Sequence, residues 1–369
     1  MIRILCAVII FAGLFFAVKV LLLPGYPDFN IHYYAPGLVL KGLNPYVVQD
    51  RFFTQYVYPP FGLLFFLPFT FLPFLVAQKV WIVMSLMFFT ASIYLIFKTL
   101  NKKYSSLMGL TLTAWFFIFY FPLKFSLGMG QINLLILFLV TLSIYLLNKK
   151  QDYLSGFFLA VSFVLKFFPV LFIPYLLLIR RWKVLISFVF STVILNAVTF
   201  VFLKSDITIY FWKNIFLDLV RSSKDYYYNQ SLDGSFLRMF GQNSFSSGSV
   251  LVTALILLLV TFAVIYKNIK EKKYLINLHL STLIVLSLMV NKFSWQHHFV
   301  WLVIPGLFTL FYILKNKLSK KYLLVLLFGF LLTSLNFSDP GVVPLLFQSH
   351  VLMGAFVIWV LNLYLLYKS

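Results

Sequence analysis

The chain is poor in acid: nine Asp and Glu among 369 residues, and only 11% charged residues of any kind. A soluble globular domain carries about a quarter charged residues, so an ordinary soluble protein is excluded. A lone cysteine, Cys6, rules out an internal disulfide. There is no Gly-rich phosphate loop and no dinucleotide fingerprint. No long basic loop offers room for a nucleotide-binding domain. Neither an HExxH motif nor a Cys/His set with zinc-ligand spacing occurs, so no metal site is expected.

What is present is apolar. Hydrophobic residues make up 62% of the chain, and they fall in runs of the roughly 17–25 residues needed to cross a bilayer as a helix. Backbone polar groups in hydrocarbon must be satisfied internally, so these runs are read as helices. Strands of a β-barrel would alternate over about ten residues; these runs are continuous. The expectation is an all-α polytopic membrane protein formed by one unit over residues 1–369. Ten full spans are expected near 2–23, 75–98, 105–121, 131–147, 184–203, 248–266, 274–290, 298–314, 322–337 and 350–367. Residues 1–23 lack a small-residue cleavage site and are read as an uncleaved first helix.

The formal net charge of +21 does not point to nucleic acid. Lys and Arg concentrate in short segments flanking the spans, where they set topology and meet anionic lipid headgroups. Placing the clusters at 98–103, 149–150, 180–183, 267–273 and 315–321 in the cytoplasm puts both termini there too. Seven of the nine acids, Asp28, Asp50, Asp206, Asp218, Asp225, Asp233 and Asp339, then fall outside. The two long outer segments are 24–74 and 204–247.

Two stretches fit this topology only if they do not cross. "YPPFGLLFFLPFTFLP" (58–73) carries four prolines, unsuited to one long helix; it is expected to form short re-entrant or surface helices. Residues 154–179 lie between two basic clusters and are interrupted by "KFFP" at Lys166–Pro169. A short helical hairpin that dips in and returns is expected there.

Several polar residues stand out against this background. Asp28 sits beside hydrocarbon, where a carboxylate is costly. It is either a general base or the N-cap of the helix that follows, and His32 would share its helix face at i, i+4. Gln131 and Asn133 in "GQINLL" either point into a cavity or cap a span. Lys166 either meets a phosphate within the membrane or extends its head to the surface. Asn229, Gln230 and Arg238 in "YYYNQSLDGSFLRMF" offer sugar-like hydrogen bonding and a cation, or make an ordinary polar loop; Asn229-Gln230-Ser231 also matches a glycosylation acceptor. His297 and His298 in "NKFSWQHHF", with Lys292 nearby, suit contact with a phosphate or substrate, or an interfacial position beside Trp295. Asp50, next to Arg51, is the second candidate acid.

Taken in order, "DFNIHYYA", "GLNPY", "YPP", "GQINLLIL", "SGFFLAVSFVLKFFPVLFIPYLLLIRRW", "NQSL" with a following Arg, and "SWQHH" resemble glycosyltransferase family 87, over about residues 24–315. That family holds polyprenyl-phosphate-mannose-dependent mannosyltransferases of the GT-C superfamily. The resemblance implies surface helices in the first outer loop and a catalytic acid near its start, which maps to Asp28. The family's loop histidines map to His297 and His298, its Asn-Gln pair to Asn229 and Gln230, and its hairpin lysine to Lys166; His32, Tyr58 of the YPP motif, Gln131, Asn133, Arg238 and Lys292 are the further candidate substrate-binding residues read from the sequence itself. The implied activity is transfer of a sugar, expected to be mannose, from a polyprenyl-phosphate donor to a glycolipid or glycan hydroxyl on the outer face, with inversion and without a cofactor. Membrane lipids are the expected surroundings, and a bacterial inner membrane the expected location. A transporter or flippase of polyprenyl-linked saccharides is the competing reading; the absence of internal repeats speaks against it.

Overall fold

The computed structural model describes residues 2–47, 55–100, 106–273 and 275–369. Among them the secondary structure is helical, with one isolated β-bridge between Asn229 and Trp295. The N-terminal third contains α1 (Ile2–Leu21), α2 (Pro27–Leu40), α3 (Phe61–Phe66), α4 (Phe74–Thr99), α5 (Ser106–Phe119) and α6 (Phe121–Met129). The middle contains α7 (Asn133–Asn148), α8 (Asp152–Leu165), α9 (Phe172–Leu178), α10 (Trp182–Phe202), α11 (Ser205–Tyr210), α12 (Phe216–Arg221) and α13 (Leu232–Phe240). The remainder is α14 (Ser244–Lys270), α15 (Ile276–Val290), α16 (Val303–Lys315), α17 (Lys320–Ser334) and α18 (His350–Lys368).

Among the described residues, six helical stretches are long and apolar enough to cross a membrane: Arg3–Leu21, Phe74–Thr99, Trp182–Phe202, Ser244–Lys270, Gln296–Lys315 and Phe347–Lys368. This is a polytopic, all-helical membrane protein. Six of the ten expected spans coincide with these stretches. The other four, at 105–121, 131–147, 274–290 and 322–337, fall on α5, α7, α15 and α17, each of 14 to 16 residues. α5 joins α6 through a 79° bend. An apolar window measures composition and does not reveal where a helix bends or stops, which is why the count expected from sequence is larger than these six. α7 and α15 are also nearly enclosed by protein along their length, so they need not match the bilayer thickness that a lipid-facing helix must.

Both stretches expected not to cross break where expected. Residues 58–73 form α3 followed by a 3₁₀ turn over Leu67–Phe71. Phe66 and Phe69 of this pair bury their rings against Phe29 and Trp81. Lys166 ends α8 in an extended conformation (φ −162°, ψ 120°), and a 3₁₀ turn over Phe168–Leu171 leads into α9. The chain then doubles back. Arg181 after α9 meets Asp152 at the start of α8, Nη1 to Oδ1 3.3 Å, so the segment leaves and returns to one point with Lys166 at its far end. α8 also packs directly on α10 at Gly156, where a Cβ would collide with the Val184 carbonyl.

The apolar core runs through α4, α7, α15 and α16. A second, smaller cluster gathers Ala35, Tyr46, Tyr56, Leu63, Leu203 and Phe211 and packs α2, α3 and the stretch between them onto the α10–α11 junction.

Candidate active site

The site begins at a tight turn. Gly130 closes α6 in the left-handed region (φ +70°), which a side chain disfavours. A Cβ there would lie 2.8 Å from the Cβ atoms of both Tyr26 and Phe29. Glycine therefore lets the start of α2 press against the α6–α7 turn. The Trp81 indole fixes the turn by donating to the Gly130 carbonyl at 2.8 Å. The next residue, Gln131, is thereby delivered to Asp28.

Tyr26, not Asp28, is the N-cap of α2, with Pro27 opening the helix. Asp28 lies in the first turn, where a carboxylate is favoured by the helix dipole. Its Oδ2 accepts a hydrogen bond from Gln131 Nε2, and Gln131 Oε1 accepts one from the Tyr58 hydroxyl at 3.2 Å. Burial pushes the Asp28 carboxyl above the usual carboxylate range, opposed by the Gln131 hydrogen bond and by the charge of Lys166. Burial likewise raises the Tyr58 phenol, which stays protonated and able to donate.

Lys166 does not reach for the surface. Its Nζ donates to Asn133 Oδ1 at 2.8 Å and lies 2.8 Å from His298 Nε2. The same ammonium sits over the rings of Tyr58 and Trp301, at 5.6 and 5.5 Å from their centroids. Among the described residues the ion pairs within 4.0 Å are Arg181–Asp152 and Lys273–Glu271. Asp28 and Lys166 thus feel one another's charge without touching.

Asn133 opens α7, behind the N-cap Ile132, and acts as a hub rather than a cap. Beyond Lys166, its Nδ2 donates to the His297 carbonyl at 3.4 Å, and its own carbonyl accepts from the Trp301 indole at 2.9 Å. His298 and Trp301 lie in a 3₁₀ turn over Gln296–Leu302, where residues three apart eclipse. Their rings therefore stack, centroids 5.4 Å apart at 10°. Phe168, two residues past Lys166, covers Trp301 at 3.7 Å.

His32 and His297 stand at the margins. The His32 ring lies on Phe66 (4.2 Å, 19°) and against Tyr58 (4.5 Å), and neither of its nitrogens has a hydrogen-bond partner. It is one turn from Asp28 but turned into the aromatic cluster. Burial, aided by the charge of Lys166, holds it down at about 3, so it is neutral. His297 enters through its main chain, whose carbonyl accepts from Ser126 Oγ at 2.9 Å; its ring meets Phe125.

The remaining expected site residues form a different assembly. Asn229 is fully buried, with Nδ2 donating to the carbonyls of Lys224 (2.8 Å) and Lys292 (3.2 Å); it is no glycosylation acceptor in this fold. Gln230 Nε2 donates to the carbonyls of Tyr227 (2.6 Å) and Gln348 (2.7 Å), and its Oε1 accepts from the Val351 amide. Arg238 donates to the carbonyls of Tyr226 and Asn229 and to Ser349 Oγ. Lys292 Nζ caps α12 at the carbonyls of Val220 and Arg221, both at 3.0 Å. These four tie the loop before α13 to the segments at 291–296 and 348–351. Asp50 and Arg51 lie outside the described residues.

Sequence reasoning missed Trp301, which orients Asn133, His298 and Lys166 together. The signal was its place three residues after His298 in "HHFVW".

A carboxylate and an ammonium, held near one another by amides and aromatic faces from five separate segments, form a polar cluster within a polytopic membrane protein. Its sequence matches glycosyltransferase family 87 over residues 56–291, well over half the chain, and the chain belongs to that family. It is also 24% identical over 289 residues to the polyprenol-phosphate-mannose-dependent alpha-(1-2)-phosphatidylinositol pentamannoside mannosyltransferase of Mycobacterium tuberculosis. That similarity takes in 74% of this chain and 64% of the relative's length. No solved structure matches it. The family match includes Tyr58, Gln131, Asn133 and Lys166 but begins after Asp28 and ends before His298; the fold brings those two to the others.

Proposed function

We propose that this protein is a membrane glycosyltransferase that moves a sugar, mannose, from a polyprenyl-phosphate donor to a hydroxyl of a glycolipid acceptor on the outer face of the membrane. The observation that carries the reading is the pairing of Asp28 with Lys166 in one cluster at a separation beyond direct contact. A base and a cation so arranged can serve the two ends of a displacement. The acceptor oxygen attacks the anomeric carbon while its proton passes to Asp28. The bond from that carbon to the donor phosphate breaks, and its electron pair stays on the phosphate. This leaving group needs charge stabilisation rather than protonation; Lys166, which hydrogen-bonds Asn133 and lies beside His298, supplies it on this reading. Attack opposite the phosphate inverts the anomeric centre, so a β-linked donor yields an α-linkage. The sugar arrives already activated, which accords with a chain lacking nucleotide-binding motifs. Family membership and the donor named for the mycobacterial relative support the same donor class.

The test has two parts. Mass spectrometry of lipid glycans from cells carrying the intact gene or none is expected to show loss of one hexose in the latter. Proteoliposomes holding the purified chain and radiolabelled polyprenyl-phosphate mannose separate enzyme from flippase: label appears on added phosphatidylinositol mannoside if the proposal holds. Label that changes leaflet without transfer to any lipid overturns it.

A further inference from the structure

Gln131 has two partners that read opposite ends of its amide. An ionised carboxylate only accepts hydrogen bonds, so Asp28 requires the NH₂ end. The Tyr58 phenol, kept protonated by burial, donates to the carbonyl end at 3.2 Å. Flipping the amide would break both contacts, so Tyr58 sets which way Gln131 points. Gln131 itself is only 3% exposed, and its backbone is held by the left-handed Gly130 and the Trp81 bond to that residue's carbonyl. The consequence falls on Asp28. Its Oδ2 is committed to Gln131, whereas no hydrogen bond is made to Oδ1 among the described residues. The other titratable groups gathered here are Lys166 on the hairpin, His32 on the same helix, and His298 beside Lys166. None of them hydrogen-bonds to Asp28.

We propose that Gln131, aimed by Tyr58, is a positioning residue that ties down Asp28 Oδ2 and reserves Oδ1 as the atom that takes the acceptor proton. The proposal rests on the reading of Asp28 as the base. Proton transfer goes to Oδ1 as the new glycosidic oxygen–carbon bond forms and the carbon–phosphate oxygen bond breaks. Gln131 exchanges nothing in this step; it holds the carboxylate plane so that the free oxygen faces the incoming hydroxyl. Residues expected from sequence to bind substrate thereby acquire a different duty.

The full-length protein in nanodiscs provides the test. The infrared carbonyl band of protonated Asp28, assigned by its loss in Asp28→Asn, is titrated in the wild type, Gln131→Leu and Tyr58→Phe. A hydrogen bond to the charged form favours that form. Removing it in Gln131→Leu is expected to move the midpoint up by about one pH unit, and Tyr58→Phe is expected to move it the same way by less. Transfer from polyprenyl-phosphate mannose is expected to lose about tenfold in kcat with donor KM unchanged. A midpoint that stays put in both variants overturns the proposal. So does a rise in donor KM with kcat and midpoint unmoved, which would make Gln131 a substrate contact. If Gln131→Leu does not fold, Tyr58→Phe, which loses one oxygen and keeps the ring, decides by the same midpoint. The parent reading fails separately: Asp28→Asn with wild-type turnover would remove the base whatever the titrations show.

Discussion

Two polar regions of this protein have similar residue chemistry and opposite habits. Around Lys166, side chains bond to side chains: Asp28 to Gln131, Gln131 to Tyr58, Lys166 to Asn133 and His298. Around Arg238, side chains bond mostly to main chain: Asn229, Gln230 and Lys292 donate to carbonyls of distant segments, and Arg238 to the carbonyls of Tyr226 and Asn229 in the loop before its own helix. A carbonyl held by a side chain is a fastening, because the backbone cannot leave without exposing an unsatisfied group. Side chains that hold one another keep capacity for a ligand, as the free Oδ1 of Asp28 does. Lys166 and Arg238 are both half-buried cations; what separates them is what their hydrogens meet.

The comparison can be broken most severely at Asp28. Asp28→Asn is expected to lower transfer by about 10²- to 10⁴-fold, the usual weight of a general base, as measured by initial rates at saturating donor. The sign of its stability effect is opposite. The folded carboxyl is raised above its unfolded value by burial, so the native state holds the proton more tightly. Stability is then highest below the unfolded pKa and declines as pH rises through the folded one. At neutral pH the Asn variant should melt at the same temperature as wild type or higher. In the wild type, turnover should fall as pH drops through the raised Asp28 value, and Asp28→Asn should lack that limb.

Lys166→Met keeps an unbranched apolar stem and removes the charge. A loss of about 10²- to 10³-fold in kcat is expected, as for removal of a donor to a developing anion. A Met variant that transfers sugar normally would place Lys166 with the fastenings. Gly130→Ala tests the turn that joins the two halves of the centre. Its Cβ meets Tyr26 and Phe29 at 2.8 Å, and the backbone is left-handed, so a stability loss above about 1 kcal/mol is expected. Displacement of Asp28 from Gln131 should lower kcat by about tenfold. The smallest effect on turnover is expected at Arg238→Ala. It should cost about 1–3 kcal/mol by orphaning the carbonyls of Tyr226 and Asn229, seen as a lower Tm, with rate per folded molecule unchanged. A selective rise in donor KM there would bring Arg238 into the substrate site.

Much of the centre was legible because the chain is so apolar. An acid beside hydrocarbon and a lysine inside an apolar hairpin are costly, and a costly residue announces itself. The break at Lys166 was equally visible, since Pro169 cannot continue a helix that keeps all its hydrogen bonds. The duties of Asn229 and Gln230 were not legible, because the carbonyls they bind at 292 and 348 have no side-chain signature. Trp301 escaped for a related reason: an aromatic residue in an apolar run carries no cost until a 3₁₀ turn stacks it under His298. Gly130 looked like loop punctuation, and only its left-handed backbone against Tyr26 and Phe29 gives it a purpose. The count of spans suffered from the same blindness to geometry. Apolar composition is shared by a lipid-facing rod such as α14, which buries 17% of its apolar window, and by short central helices such as α7.

The contact between Asp152 and Arg181 also bears on how the chain is threaded into its membrane. A loop pinned shut at its base contributes no net crossing, however deep its tip reaches. Excising residues 152–181 would therefore remove the ammonium at that tip while leaving every later segment facing the side it faced before, which a reporter fused at the C-terminus would register as an unchanged compartment.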